Sequence, residues 1–435
     1  MTDAAGRWAA LTRAEQGVVA FVVGLSALLV YGLVTGGLGP TYFLYLVGLV
    51  GMYVLLSFGL NAQWGYTGLI NFSVAAFFGL GAYGTALLTA GNSPIAGGIN
   101  PLAGLVVGLL LAAVLAVIIG IPTLRLRADY LAIASLGLAE VVRLVVLNER
   151  QWTNGSAGLR GIPGFFQGWP VLSTFPEAMP GLRVEIVSGR AILLGEPFWQ
   201  ALLNVSLVFV FVAVTFLLLR RVHRSPWGRV LRTIRSDEDL AEALGKNTYG
   251  FKMQSFVLGS VIMALAGVFY AHLNLFVSPG DFEPINTFYV WIAVILGGSG
   301  SNRGAMFGGF VVIAIREGTR FLGNLLPGSL SITLPEGVAA ALPALVEGAI
   351  AGLFDLLTNT YTTVVSNFAS TRLLVVGLLI ILVMRFRPEG VLPPQRELIW
   401  PAALDDADVP DPGAGKRPHG AEEGDAAADG GGAGE

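Results

Sequence analysis

Apolar stretches of about 20 residues recur along the 435-residue chain, and they restrict its fold more than any other feature. Crossing the roughly 30 Å of hydrocarbon in a bilayer takes about 20 helical residues. A helix is favoured there because it satisfies every backbone hydrogen bond internally. The mean hydropathy of +0.70 agrees with a chain that faces lipid. The sequence therefore predicts an all-α, polytopic membrane protein.

The pattern predicts about ten transmembrane helices. The first apolar run lacks a small-residue cleavage site, which indicates a retained span and not a signal peptide. A further apolar run, VAAALPALVEGAIAGLFDLL, lies within 326–371 and contains two acids, so we expect an interfacial or re-entrant helix there. The ten expected spans are 16–38, 41–60, 67–90, 101–122, 130–148, 200–219, 253–277, 286–298, 305–325 and 372–386.

Arginine and lysine predict how these spans are oriented, because loops rich in them tend to stay cytoplasmic. Most of them fall on one side if the N-terminus, residues 1–15, and the C-terminus are both cytoplasmic. The transmembrane domain then covers 16–400, with a cytoplasmic loop at 220–252 and a Pro/Gly-rich external loop at 149–199. Residues 401–435 carry nine acids against two bases and almost no large apolar residue, which predicts a disordered acidic tail.

Several classes of chemistry find little support in the sequence. Without cysteine, neither a disulfide nor a thiolate metal site is possible, and three histidines make any metal site improbable. No Gly-Lys-Ser or Gly-Lys-Thr occurs, so we expect ATP hydrolysis to belong to a separate chain. No nucleophile paired with a base is found within the spans, which argues against an enzyme. A nucleic-acid partner is not expected.

The segment SPWGRVLRTIRSDEDLAEALGKN, residues 225–247, gathers eight charged side chains between two apolar runs. Its basic residues recur every three positions and share a helical face, while a second face is apolar. Ser236 can cap a new helical turn with acids in its first positions, and Gly245 can end it. The segment thus predicts two short helices with a break near Ser236. The basic residues are Arg229, Arg232 and Arg235, the acids Asp237, Glu238, Asp239 and Glu242, and the apolar residues Val230, Leu231, Ile234, Leu240, Ala243 and Leu244.

Two surfaces could receive these helices. A basic helix can lie on anionic lipid headgroups, but the acids at 237–239 and Glu242 would then be repelled. Mixed charge beside an apolar stripe better suits a cleft in a partner protein. A protein partner at the cytoplasmic face is therefore the favoured hypothesis.

Polar residues inside the spans are the candidates for a substrate path. Glu140 and Arg143 are three residues apart on one helix, and ionisable groups in a membrane are costly enough to suggest function. The alternative is a structural ion pair. A second group at the start of the third span suggests a helix break, with path lining or local backbone capping as its roles. That group is Asn61, Gln63, Asn71 and Ser73.

Seven stretches between roughly residues 50 and 395 are distinctive. They are LNAQWGYTGLINFSVAAFFGLGAYGTALL, LRLRADYLAIASLGLAEVVRLVV, NGSAGLRGIPG, residues 225–247, LAGVFYAHLNLFVSPGDF, ILGGSGSNRGAMFGG and RFRPEG. Together they resemble the permease subunits of ABC importers for branched-chain amino acids, in particular the larger of their two membrane subunits. Permeases for urea and short amides are close relatives of that family.

This resemblance implies that residues 225–247 seat in an ATPase subunit and couple its closure to the transmembrane helices. Glu242, Ala243 and Gly245 resemble part of the Glu-Ala-Ala...Gly loop of importer permeases, although Leu244 interrupts the match. The implied coupling residues are Arg229, Arg232, Arg235, Asp237, Glu238, Glu242 and Gly245.

The resemblance also implies the function and the partners. We expect a plasma-membrane permease for leucine, isoleucine or valine that needs two ATPase subunits, a homologous membrane subunit and an external binding protein. ATP and magnesium would bind the partners and not this chain. A urea or amide permease is the alternative, followed by a secondary transporter that uses Glu140 as an ion site.

Overall fold

A computed structural model of the protein describes residues 13–34, 38–167, 169, 171–179, 181–186 and 190–325, with short stretches between 352 and 394. The described residues belong to one compact unit, 1–394. The predicted acidic tail at 401–435 and most of the predicted insertion at 326–371 lie outside the described residues.

Helices dominate the described residues. The longer ones are α1 (Arg13–Val34), α2 (Pro40–Leu60), α3 (Val74–Thr89), α4 (Pro101–Thr123), α5 (Ala128–Asn148), α8 (Glu196–Arg224), α9 (Pro226–Ser236), α11 (Thr248–Asn274), α12 (Ile285–Gly297) and α13 (Asn302–Leu325). The short ones are α6 (Arg150–Thr153), α7 (Phe175–Ala178) and α10 (Glu238–Ala243).

Six helices of the described residues are long and apolar enough to cross a membrane. They cover Glu15–Val34, Pro40–Gly65, Pro101–Thr123, Ala128–Asn148, Glu196–Arg224 and Thr248–Asn274. Two apolar helices, α3 and α12, are shorter, and α13 lies at the ninth predicted span. The tenth predicted span, 372–386, is described only in part, and its described residues, which include 381–386, are helical. The chain is thus an all-α polytopic membrane protein, as predicted.

The centre of the fold consists of α2, α3 and α11, whose sides are buried along most of their lengths. Glycines allow this packing. A methyl group at Gly267 of α11 would lie 1.9 Å from the carbonyl oxygen of Phe78, and one at Gly81 of α3 would lie 2.0 Å from that of Ala264. Lipid tails are as apolar as leucine, so helices associate in a membrane largely through such close backbone approach.

A break separates α2 from α3. The π-helical turn Asn61–Gly65 extends α2, and the chain then turns through Gly68, which has a φ of 75°. The third span was predicted to begin at residue 67, but α3 begins at Val74. The reason is that the intervening polar side chains bond to another helix and to the local backbone, as Thr67 does to Ser255 of α11 and Asn71 does to the Ser73 N–H, and these bonds replace the regular helical hydrogen bonds.

The two ends of the bundle differ. Residues 149–199 contain two short helices and the antiparallel hairpin of β2 (Leu182–Ile186) and β3 (Arg190–Leu194), with Val184 opposite Ile192. A second strand pair joins β1 (Leu159–Arg160) to β4 (Phe276–Val277). We call this the hairpin end. From there α8 runs for 29 residues, about 43 Å, to the opposite end, which carries α9 and α10.

Candidate functional site

We call residues 225–247 the elbow, and the part of the bundle that carries them the elbow end. The side chain of Ser225 caps α9 by accepting a hydrogen bond from the Gly228 N–H at 3.1 Å. Gly245, with a φ of 73°, follows the end of α10. Two short helices with a break near Ser236 are therefore confirmed.

The residue that caps the second helix differs from the prediction. Asp237, and not Ser236, is its N-cap, and its carboxylate accepts from the Leu240 N–H at 2.9 Å. The Ser236 hydroxyl instead donates to the carbonyl of Arg232 at 3.0 Å, one turn back in α9. Ser236 thereby belongs to the end of the first helix.

Two of the elbow acids hold it against the start of α11. Glu238 forms an ion pair with Lys252, and the Thr248 hydroxyl donates to Glu242 Oε1 at 2.7 Å. These bonds orient α10 relative to a helix at the centre of the fold. Contact of the same acids with an ATPase subunit stays a prediction.

Arg235 connects the elbow to the interior of the bundle. Its guanidinium donates to the carbonyl of Gly65 in the π-helical turn and to Ser299 Oγ, at 2.6 Å, between α12 and α13. Gly68 and Gly300 leave room for this side chain, because a methyl group at Gly300 would lie 2.9 Å from its Nη1 atom. Partial burial lowers the pKa of the Arg235 guanidinium, but arginine is so strong a base that the group stays charged.

The three predicted basic residues of α9 have different surroundings. Arg232 donates to the carbonyl of His223 at 2.6 Å, near the end of α8, while Arg229 is exposed. Arg235, by contrast, bonds to the interior of the bundle. The three arginines therefore share a helical face, as their spacing predicts, but they do not share one role.

The apolar face of the elbow is only partly covered. Leu231 and Ile234 of α9 are buried, and so is Ala241 of α10. Leu240 and Leu244 belong to the same predicted apolar face, but 50% and 64% of their surfaces are exposed. The reason is that the N-cap at Asp237 starts a new helix, so α10 turns a different face to the bundle. The elbow therefore presents an uncovered apolar pair.

The predicted polar group at the break is fully buried. Gln63 Nε2 donates to the carbonyl of Phe256 at 2.8 Å and to Ser260 Oγ at 3.2 Å, while Asn71 donates to Gln63 Oε1 at 2.7 Å. Asn61 accepts from the Gly300 N–H at 2.7 Å, and the Ser73 N–H donates to Asn71 Oδ1 at 2.8 Å.

These bonds tie the broken segment to α11 and to the loop between α12 and α13. They also satisfy backbone groups that no regular helix satisfies here, as membrane proteins require. A path-lining role for the four residues remains a prediction.

Glu140 and Arg143 form an ion pair within α5. Arg143 Nε donates to Glu140 Oε2 at 2.9 Å, and Arg143 Nη2 donates to Glu140 Oε1 at 2.5 Å. The Glu140 side chain is 38% exposed, and the Arg143 side chain is 21% exposed. Only Leu131, Ser135 and Ala139 of α5 are fully buried, so this helix is held mainly along one narrow face.

Sequence reasoning missed a second polar cluster, centred on Arg316 of α13. Its guanidinium donates to the Tyr53 hydroxyl and, at 3.2 Å, to Asn286 Oδ1, and it lies over the ring of Tyr289. Glu317 is nearly buried beside it. An adjacent Arg-Glu pair in an expected span was the signal that could have identified this cluster.

Comparison with known proteins places the chain in a family. The family described as "Branched-chain amino acid transport system / permease component" matches residues 42–384. The high-affinity branched-chain amino acid permease protein LivM of Escherichia coli is 32% identical over 278 residues, which are 61% of each chain. The probable LivM of Methanocaldococcus jannaschii is 26% identical over 61% of this chain and 78% of its own length.

The high-affinity branched-chain amino acid permease protein LivH of Escherichia coli is 26% identical over 60% of this chain and 79% of its own length. The alignment with E. coli LivM reaches less than two thirds of that protein. No solved structure gives a significant match. The family match nevertheless extends over most of the 435 residues, so the chain belongs to the permease components of branched-chain amino acid transport systems.

Proposed function

We propose that this chain is one permease subunit of an ATP-driven importer that carries branched-chain amino acids across the plasma membrane. ATP hydrolysis takes place on separate subunits at the elbow end, which faces the cytoplasm together with both termini. A homologous permease subunit completes the pathway, and an external binding protein delivers the amino acid at the hairpin end.

The observation that carries this proposal is the position of Arg235. One side chain joins the elbow to the broken segment after α2 and to the loop between α12 and α13. A displacement of the elbow therefore acts on two membrane elements at once. Rigid connections of this kind are what a coupling element needs to bias a two-state pathway.

The uncovered apolar pair supports the partner. Leu240 and Leu244 are exposed on the elbow, which also carries the exposed charges of Asp239 and Arg229. Apolar anchors with a charged rim are typical of protein interfaces, and large exposed apolar side chains outside the lipid favour a protein partner. The ATPase subunit is the partner that fits the family.

The substrate class rests on similarity. The relatives named LivM and LivH are permeases of branched-chain amino acid systems. A fructose import permease of Rhizobium meliloti is 30% identical, but over 27% of this chain only. Branched-chain amino acids are therefore the first substrates to assay, with urea and short amides as competitors.

The test uses the complete transporter in lipid vesicles, with ATP on the elbow side. Replacing Leu240 and Leu244 together by aspartate should abolish binding of the ATPase subunits, measured by co-purification, and with it leucine uptake. Ile95 is 55% exposed in the loop between α3 and α4 at the hairpin end, and Ile95→Asp is the matched control that should retain binding of the ATPase subunits. Full ATPase binding by the double variant would refute the docking role. Uptake of urea but not of leucine would show that urea, and not a branched-chain amino acid, is the substrate.

A further inference from the structure

Two short helices begin near the middle of the bundle. The Ala75 N–H at the start of α3 donates to Thr287 Oγ1 in the first turn of α12, at 3.0 Å. From Thr287, α12 continues for ten residues, about 15 Å, to Gly297 at the elbow end. Since the hydrocarbon core is about 30 Å thick, both helices start near its centre.

The N-terminal end of α3 borders a small cavity that also reaches α5. The cavity has a volume of about 10 Å³, and Ala75, Ala76, Tyr83 and Arg143 are among its lining residues. The Tyr83 side chain is nearly fully buried, yet its hydroxyl has no hydrogen-bond partner within the described residues. A buried polar group without a partner is costly, which indicates that a ligand supplies the missing bond.

The charges on this side of the bundle suit a zwitterion. Arg143 and Glu140 offer one cation and one anion, and Glu283 lies close enough to Arg143 for an electrostatic interaction. The positive end of the α3 dipole adds to the cationic side. Charges that remain exposed on a span are too costly to face lipid. This face of α5 therefore turns away from lipid.

Aromatic rings lie on the same side of the bundle as this ion pair, closer to the elbow end. Phe72 stacks on Trp291 with ring centroids 4.9 Å apart, and Trp291 lies 4.7 Å from Trp64. Phe288 lies 5.6 Å from Phe72 and is 41% exposed. The Phe72 N–H donates to Ser135 Oγ at 2.8 Å, so this apolar wall adjoins the same helix as the ion pair.

We propose that the amino acid crosses the membrane between α5 and the starting ends of α3 and α12. Arg143 and the Tyr83 hydroxyl donate to its carboxylate, Glu140 accepts from its ammonium group, and its apolar side chain then follows the rings of Phe288 and Phe72. The cavity has room for about one water in this structure, so α5 must move away from α3 to admit the amino acid. The narrow buried face of α5 permits such a movement. The site rests on the proposed transport function.

The natural absence of cysteine allows a direct test of the water-facing side. Gly137 and Gly24 are exposed glycines of α5 and α1, and a side chain at either position meets nothing within 4 Å. Single Gly137→Cys and Gly24→Cys variants of the assembled transporter are treated with a charged thiol reagent in open membrane fragments. The Gly137→Cys variant should react at least about tenfold faster than the Gly24→Cys variant, because thiolates form in water and not in lipid. Equal rates would overturn the inference.

A second experiment separates binding from a structural role. Exchanging the charges, Glu140→Arg with Arg143→Glu, keeps an ion pair but reverses it relative to Tyr83. Leucine uptake should fall about tenfold or more, the usual effect of losing a hydrogen bond to a charged group. Tyr83→Phe should lower uptake similarly with unchanged expression and detergent stability, since its hydroxyl bonds to none of the described residues.

Normal uptake by both of these variants would overturn the site while leaving the transport function standing. If the unaltered transporter takes up no leucine but Gly137→Cys still reacts faster, the proposed substrate fails and the water-facing path stands.

Discussion

The bonds of Arg235 make a quantitative prediction about coupling. The variant Arg235→Gln should leave ATPase subunits bound and ATP hydrolysis running, while leucine transported per ATP falls. A hydrogen bond to a charged group contributes about 1.5–3 kcal/mol. Two such bonds are lost, to Gly65 and Ser299, but much of the Arg235 side chain is exposed and its attraction is screened.

We therefore expect a loss of about 2 kcal/mol in the free energy that links the elbow to the broken segment, or roughly 30-fold in transport per ATP. Ser299→Ala removes one of the two bonds and should cost about fivefold. The assay measures labelled leucine uptake and phosphate release in the same vesicles. Arg220→Gln is the matched control, because it removes one exposed positive charge near the same end of the bundle.

Two results would refute this reasoning. If Arg235→Gln transports as much leucine per ATP as the unaltered chain, its two bonds do not transmit motion. If the variant instead loses its ATPase subunits, Arg235 contacts the partner directly, as the repeated basic spacing in α9 suggested.

Three further outcomes are expected. Gly267→Ala should lower the free energy of unfolding in detergent by about 1–3 kcal/mol, because the added methyl group overpacks against Phe78. Gly24→Ala, whose methyl group would lie in open space, should not lower it. Equal stability of the two variants would contradict the close packing. Gln63→Leu should destabilise the protein by about 1–3 kcal/mol, since Asn71 loses a buried acceptor; an unchanged melting temperature would count against the network. Deleting 403–435 should spare leucine uptake in ordinary salt, and lost uptake would give the tail a working role.

Local features of the sequence were sufficient for the helical spans and the elbow. Apolar stretches of membrane-spanning length identify helices, because lipid leaves the backbone few other ways to satisfy its hydrogen bonds. The two helices at 225–247 follow from spacing, acids near a helix start and a glycine near its end, all of which act within a few residues. The polar run from Asn61 likewise indicated a break without needing the rest of the chain.

Only the tertiary structure decided what those side chains contact. Arg235 bonds to Gly65, 170 residues away, and Arg316 bonds to Tyr53, 263 residues away. Likewise, Leu240 is exposed, and the Tyr83 hydroxyl finds no partner in the described part of the chain, because of how separate helices approach one another. The helical spacing of residues in the sequence predicts which side chains share a face. The packing of the whole bundle determines which helix lies against that face. The roles of single polar residues therefore follow from contacts that no local pattern contains.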